Sequence, residues 1–295
     1  MQAMHKRVLV RLLFVALILG ALPGALPGAL RAQQPPAGPP PSVASEPPPE
    51  PGADDLNAAA RKGDVAAVKA LLDKGISPDA KWRYGMTALF PAAERGHIEV
   101  VKLLLERGAN ANASDRFYNA TPITWALNKG HVDIAALLLE KGASNSEQVL
   151  NTGIERGSTT LVKASLAKGG LQPHSLTAAM ISATRANKTE MVELLKAAGA
   201  APPFAIESAK LESFAGTYKS ENPNQPLTLN WVVKDGALEG GVVGNPNPLH
   251  LYATDAVTFR TLEPTGIIIT WGADGSELTV QQGQQKTKFK KEVKQ

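Results

Sequence analysis

The chain has no cysteine among its 295 residues, and aromatic residues make up only 5% of it. Disulfide bonds, thiolate metal sites and a nucleophilic cysteine are therefore excluded. The five histidines are scattered, and their spacing predicts no metal site. The fold must be stabilised by its hydrophobic core, and a local concentration of aromatic residues is informative wherever it occurs.

Excess charge is confined to the start of the chain. The formal net charge is +4, and Lys6, Arg7, Arg11 and Arg31 account for that excess, which leaves the rest of the chain close to neutral. A protein that binds nucleic acid usually carries its positive charge on the folded domain. We therefore predict no nucleic-acid partner.

The first 32 residues have the order typical of a secretory signal peptide. Basic residues precede an apolar run, Leu12–Leu22, and small residues lead to Ala32, after which we predict cleavage. The alternative is an uncleaved anchor, because Leu12–Leu30 lacks charge over a length close to a membrane span. Two Pro-Gly steps in that stretch favour cleavage, with no stable membrane insertion afterwards. We expect an exported protein, periplasmic or secreted.

Residues 33–52 are nearly half proline. A chain of this composition stays extended and forms no packed core. We interpret the segment as a disordered linker.

Pairs of glycines twelve residues apart recur through the middle of the chain. They are Gly63/Gly75, Gly96/Gly108, Gly130/Gly142 and Gly157/Gly169, with Asn187/Gly199 as the fifth pair. The amino-acid sequence between them repeats, as in ERGHIEVVKLLLERG and NKGHVDIAALLLEKG. A self-similar period of about 30 residues predicts stacked helix pairs, with each glycine ending a helix. We predict about five units over residues 53–200.

The repeats resemble the ankyrin family. Thr121–Ala126, with the sequence TPITWA, aligns with the T-P-L-H-x-A segment of that family and is followed by its Gly-His step. Phe90 and Thr124 stand where the family has histidine, and GANANA at 108–113 aligns with its G-A-D-V-N-A. The fourth and fifth units keep the helix pair but lack the turn segment. The resemblance implies a helical solenoid that binds proteins.

After Gly199 the apolar period changes from about 3.6 to 2, with turn residues between the alternating segments. We predict a linker over 201–210 and a β-domain over 211–295. The eight predicted strands lie near 212–219, 226–234, 237–243, 248–253, 256–261, 266–272, 276–281 and 286–293. Strands in sequence with tight turns predict an up-and-down meander, closed or nearly closed into a barrel.

Five segments of this domain, LESFAGTYKS at 211–220, KDGAL at 234–238, PLHL at 248–251, VTF at 257–259 and KFK at 288–290, carry a second resemblance. They resemble the lipocalin-like domain appended to serine hydrolases of the penicillin-binding and β-lactamase-like kind. The Ser-x-x-Lys string of such enzymes occurs once, from Ser165 to Lys168, but it falls in a predicted helix without its partner motifs. We predict no enzymatic activity, no cofactor and no metal.

In ankyrin repeats the turn tips and first helices line a concave face that binds partners. The residues that the resemblance places there are Trp82, Arg83, Tyr84, Met86, Glu94, Arg95, Arg116, Phe117, Tyr118, Trp125, Asn128 and Lys129. Aromatic residues and arginine are enriched in binding hot spots. The alternative is that Trp82 and Tyr118 fold back onto neighbouring repeats and that Trp125 is partly core.

These observations predict a non-enzymatic, exported interaction module or scaffold that binds a protein through the ankyrin face. Its β-domain is then a second contact or the interface of a homo-oligomer. One alternative is a regulator of an exported serine hydrolase. Another is a carrier that holds a small ligand inside the barrel.

Overall fold

The computed structural model describes residues 47–222, 226–262 and 266–292. The predicted signal peptide and residues 33–46 of the predicted linker lie outside these ranges. Within them, no helix has both the length and the apolar character needed to cross a membrane. The chain divides after Ala200 into two compact units, each with its own hydrophobic core.

Ten helices of the described chain form five consecutive pairs, as the glycine ladder predicts. The pairs are α1 (Ala53–Lys62) with α2 (Val65–Asp73), α3 (Leu89–Arg95) with α4 (Ile98–Glu106), α5 (Pro122–Lys129) with α6 (Val132–Glu140), α7 (Ser146–Arg156) with α8 (Thr159–Lys168), and α9 (Pro173–Arg185) with α10 (Thr189–Ala197). The buried residues of the stacked pairs form two successive clusters, one over residues 56–161 and one over residues 150–195, made mainly of leucine, valine, isoleucine and alanine. Stacking is needed because one pair cannot bury its own apolar face.

The first glycine of each pair ends the first helix in a left-handed conformation, with φ of 75° at Gly63 and 78° at Gly96. These two positions are also crowded. A Cβ added at Gly63 would lie 2.6 Å from the His97 ring, and one added at Gly96 would lie 2.6 Å from the His131 ring. Glycine is therefore required there by backbone conformation and by the neighbouring repeat.

Polar side chains connect each helix pair to the pair before it. The bonds join His97 Nε2 to the Arg61 carbonyl (3.1 Å), His131 Nε2 to the Glu94 carbonyl (3.1 Å), Arg156 Nη1 to the Leu127 carbonyl (2.6 Å) and Lys188 Nζ to the Glu155 carbonyl (3.0 Å). Each acceptor lies in the last turn of a first helix or close to it, where carbonyls lack intrahelical partners. Arginine and lysine take over this role in the units that lack the Gly-His step.

The replacement of the motif histidine has a different result in each unit. In the second repeat Phe90 is buried, and the buried Thr87 hydroxyl finds no hydrogen-bond partner in the described part of the chain. In the third unit the Thr124 hydroxyl lies 3.2 Å from the Thr121 hydroxyl. Threonine therefore preserves a hydrogen bond at this position, whereas phenylalanine does not.

The compact unit that follows Ala200 is a closed antiparallel barrel of eight strands. They are β1 (Gly216–Ser220), β2 (Thr228–Lys234), β3 (Ala237–Val242), β4 (Leu249–Ala253), β5 (Thr258–Thr261), β6 (Ile267–Trp271), β7 (Glu277–Gln282) and β8 (Gln285–Lys291). Each strand pairs with the next, and β1 also pairs with β8. The predicted fold class, a helical repeat region followed by an eight-stranded barrel, is confirmed.

The expected first strand near 212–219 was wrong in its first half. Residues Ser208–Phe214 form a helix, α11, which also occupies the end of the predicted linker, and β1 begins only at Gly216. Leu211 and Phe214 are three residues apart, so they lie on one face of the helix, and both are buried in the barrel core. The short helix thus adds apolar side chains to that core.

Side chains fill the interior of the barrel. Trp231, Trp271 and Phe259 are each at most 2% exposed. The Trp271 ring lies 5.1 Å from the Phe259 ring, 5.8 Å from the Trp231 ring and 5.3 Å from the Phe214 ring, measured between centroids. Such contacts are typical of a packed core. This packing argues against the alternative of a carrier with a ligand inside the barrel.

A buried tyrosine connects α11 to the barrel. The Tyr218 hydroxyl lies 2.9 Å from the Phe214 carbonyl and 2.8 Å from the Gly275 carbonyl, and it accepts a hydrogen bond of 3.1 Å from Trp271 Nε1. Burial raises the pKa of Tyr218 to about 12, although the indole N–H acts in the opposite direction. The phenol is thus kept neutral in the folded barrel.

We expect the barrel to lose stability between pH 10 and 12 through this residue. The unfolded chain releases the phenol proton near pH 10, whereas folded Tyr218 holds it to about pH 12. The stability that Tyr218 contributes is therefore complete below pH 10 and is lost as the pH rises from 10 to 12. Tyrosinate absorbance of the full chain, minus that of Tyr218→Phe, should show a step near pH 12. A step near pH 10 would contradict the prediction.

Candidate protein-binding face

Two loops between successive helix pairs form closed turns, which we call the first and second tips. The first tip, residues 82–86, contains the 3₁₀ turn Arg83–Gly85 and is closed by a hydrogen bond from Trp82 N to the Met86 carbonyl (2.8 Å). The second tip, residues 115–120, is closed by the same kind of bond, from Asp115 N to the Ala120 carbonyl (2.9 Å). Arg116 N donates to the Tyr84 carbonyl at 2.8 Å, so the two tips are joined backbone to backbone.

Asp115 fixes the shape of the second tip. It is 2% exposed, and its carboxylate accepts hydrogen bonds from the backbone N–H groups of Phe117, Tyr118 and Ala120. Such local carboxylate-to-backbone bonds stabilise a turn whose amides have no other acceptor. The Asp115 carboxylate thus fixes the backbone that carries Phe117 and Tyr118.

Four rings form a continuous series across both tips and onto α5, and we call this series the aromatic row. Centroid distances are 5.7 Å from Tyr84 to Phe117, 4.3 Å from Phe117 to Tyr118, and 6.4 Å from Tyr118 to Trp125. All four side chains are half-buried. Each ring therefore contacts its neighbours and still leaves apolar surface accessible.

Trp82 does not join the row. Its indole Nε1 donates to Asp54 Oδ1 at 2.7 Å, and the guanidinium carbons of Arg61 and Arg83 lie 5.7 Å and 5.5 Å from its ring centroid. The ring is half-buried, and its hydrogen bond connects the first tip to α1. These contacts favour the alternative for this residue, that it packs onto the neighbouring repeat.

The other predicted residues lie at the first tip and along α3 and α5. Met86 and Glu94 are half-buried, whereas Arg95, Asn128 and Lys129 are exposed. Lys129 Nζ lies 3.7 Å from Glu94 Oε1 and so links the two first helices. Together with the two tips, these residues form what we call the tip face.

The tip face lacks a third tip after α6. Only residues 141–145 separate α6 from α7, a shorter connection than the loops that hold the first two tips. The buried Nε1 of Trp125 has no hydrogen-bond partner among the residues that the structure describes. Nearby, Gln148 Oε1 accepts from Asn145 Nδ2 (3.1 Å) and lies 3.4 Å from the Thr124 hydroxyl. The aromatic row thus ends beside a polar network instead of a further loop.

Sequence reasoning missed Asp115, Asn145 and Gln148. Asp115 could have been found, because an aspartate in a loop often accepts hydrogen bonds from the backbone N–H groups of the residues that follow it, in an Asx-type turn. Asn145 and Gln148 gave no such signal, since they approach Thr124 only when the third and fourth pairs stack.

The described residues hold no cluster of three histidine, aspartate or glutamate side chains that could bind a metal ion. Ser165 of the Ser-x-x-Lys string is fully buried inside α8, where no substrate could reach it.

Comparison with known protein families identifies the region of the two tips. No curated protein matches the chain. A profile described as ankyrin repeats matches residues 56–149, a region that holds both tips and the aromatic row. Ankyrin repeats typically bind proteins and are not enzymes. Residues 56–149 thus match the ankyrin repeat family, in three copies.

Proposed function

We propose that the chain is an exported, non-enzymatic interaction module that binds a protein partner through the tip face. The observation that supports this proposal is the aromatic row, which extends across two tips joined by a backbone hydrogen bond. Binding hot spots are enriched in tyrosine, tryptophan and arginine, and all three residue types lie on this face.

Burial separates the row from the core of the repeats. Of the aromatic residues between 47 and 200, Phe90 is buried, whereas Trp82 and the four residues of the row stay half-buried. The core itself is aliphatic. Aromatic side chains kept at the surface of a repeat protein favour a binding role over a packing role.

Export is part of the proposal, and its support is the order of basic, apolar and small residues in positions 1–32. The barrel then provides a second contact, either to another copy of the chain or to a second protein. Its outward-facing β8 lysines, Lys286, Lys288 and Lys290, are exposed and keep this surface polar.

The test is a crosslinking pull-down from the exporting cell. The bait is the chain from Gln33, compared with a variant in which Arg83, Tyr84, Arg116, Phe117 and Tyr118 are all alanine. We expect a partner that the first bait captures and the second loses, because the variant removes three of the four rings and both tip arginines. Circular dichroism of the variant checks that the helices remain.

Two outcomes would contradict this proposal. Equal capture by both baits would move the binding site to the barrel. Selective capture of serine hydrolases through the barrel would favour the regulator alternative.

A further inference from the structure

Three arginines of the tip face lack an acidic partner among the described residues. Arg83, Arg95 and Arg116 are exposed, and none of them forms an ion pair within the described residues. The second helices differ, since Lys102 pairs with Glu99 at 2.7 Å and Arg107 with Asp73 at 2.8 Å. The tip face therefore has unpaired positive charge next to its aromatic row.

Two of these arginines are held in place by the tips. The guanidinium of Arg83 stacks 5.5 Å from the Trp82 ring centroid. The aliphatic part of Arg116 lies over the first tip, where a Cβ added at Gly85 would be 3.3 Å from Arg116 Cγ. An arginine that is already held loses less conformational freedom when it binds a ligand.

We propose that the partner presents an acidic segment, with carboxylates at Arg83, Arg95 and Arg116 and an apolar or aromatic side chain on the aromatic row. This inference rests on the proposed function and adds the chemistry of the partner. A guanidinium group binds a carboxylate through two parallel hydrogen bonds. The rings provide the apolar contact that gives such a segment its affinity.

A nucleic acid also combines negative charge with flat rings, but the surroundings of the site favour a peptide. Glu94 lies on the same face, and Asp54 and Glu50 lie beside the first tip. These carboxylates would repel a continuous phosphate backbone, which needs an extended positive surface. An acidic peptide can place its few carboxylates only where the arginines are.

The experiment uses a fluorescent random copolymer of glutamate and tyrosine as the probe and the chain from Gln33 as the receptor. We expect the triple variant Arg83→Gln, Arg95→Gln, Arg116→Gln to bind it about tenfold or more weakly, because three surface ion pairs are lost. The matched control replaces Lys102, Lys141 and Lys163 on the second-helix side with glutamine. It loses the same charge and should change affinity less than about twofold.

Three results would overturn the inference. They are the absence of copolymer binding, equal affinity of the triple variant and the unchanged chain, and tighter binding of single-stranded polyuridylate through the same arginines. The proposed function can be judged separately. A partner that the alanine variant loses but the glutamine variant keeps would leave the tip face as the binding surface and reject an acidic partner.

Discussion

Gly240→Ala is expected to unfold the β-barrel. A Cβ on Gly240 would overlap the Asn230 carbonyl oxygen and lie 2.9 Å from Trp231 Cα, both backbone atoms of the neighbouring strand β2. No rotamer change can relieve a clash with backbone. Strand β2 pairs with β3 over six residue pairs, and a closed barrel leaves neither strand free to move away. We expect a loss of about 4 kcal/mol or more in unfolding free energy, the range of severe core disruption.

The matched control is Gly236→Ala, in the turn of the same hairpin. Gly236 has φ 75°, but an added Cβ there meets nothing within 4 Å. It should cost only the conformational penalty of a left-handed alanine, about 1–2 kcal/mol. Hydrogen exchange by mass spectrometry on the full chain would locate the change, with protection lost in the barrel strands and kept in the helix pairs. If the barrel strands of Gly240→Ala were as well protected as those of Gly236→Ala, the clash would have been relieved.

Phe117→Ala is expected to be the single substitution most damaging to partner binding. Phe117 lies between Tyr84 and Tyr118 in the aromatic row, with centroids 5.7 Å and 4.3 Å away. Its removal separates Tyr84 from the Tyr118–Trp125 pair, and we expect affinity to fall about 30-fold or more, as at other hot spots. The side chain is half-buried, and the Asp115 carboxylate bonds to the backbone of this residue. The fold should therefore change little.

Isothermal titration with the captured partner would measure this effect. Phe117→Tyr should keep most of the affinity, because the ring remains. Phe204→Ala is the matched control, since Phe204 is an exposed aromatic residue (50%) that lies outside the repeats. Affinity that is unchanged in Phe117→Ala would show that the row is packing and not a binding surface.

The helix pairs could be predicted because their determinants are local in the sequence. A glycine at the end of four first helices, an asparagine after the fifth, and apolar residues three and four positions apart in the second helices need no tertiary information to be interpreted. The same holds for most strands, where period-2 alternation between turn residues marks the elements. The helix α11 was missed because Leu211 and Phe214 fit either a strand or one turn of a helix until the barrel buries both.

The candidate site was only partly predictable. The resemblance to ankyrin repeats placed Tyr84, Phe117, Tyr118 and Trp125 near one face, but it gave no distances between them. Trp82 was placed with them, although its hydrogen bond to Asp54 connects it to α1 instead. The role of Asp115 depends on a turn whose backbone N–H groups converge only in the folded loop.

By itself, the sequence determined the order of helix pairs and strands, because glycine position and apolar period act within a few residues of the chain. Only the tertiary structure decided which residues meet. The stacking of repeats brought Arg116 N to the Tyr84 carbonyl and so joined two tips into one row. The closure of β1 on β8 placed Tyr218 under α11. Such contacts depend on the relative placement of elements far apart in sequence, which no local pattern encodes.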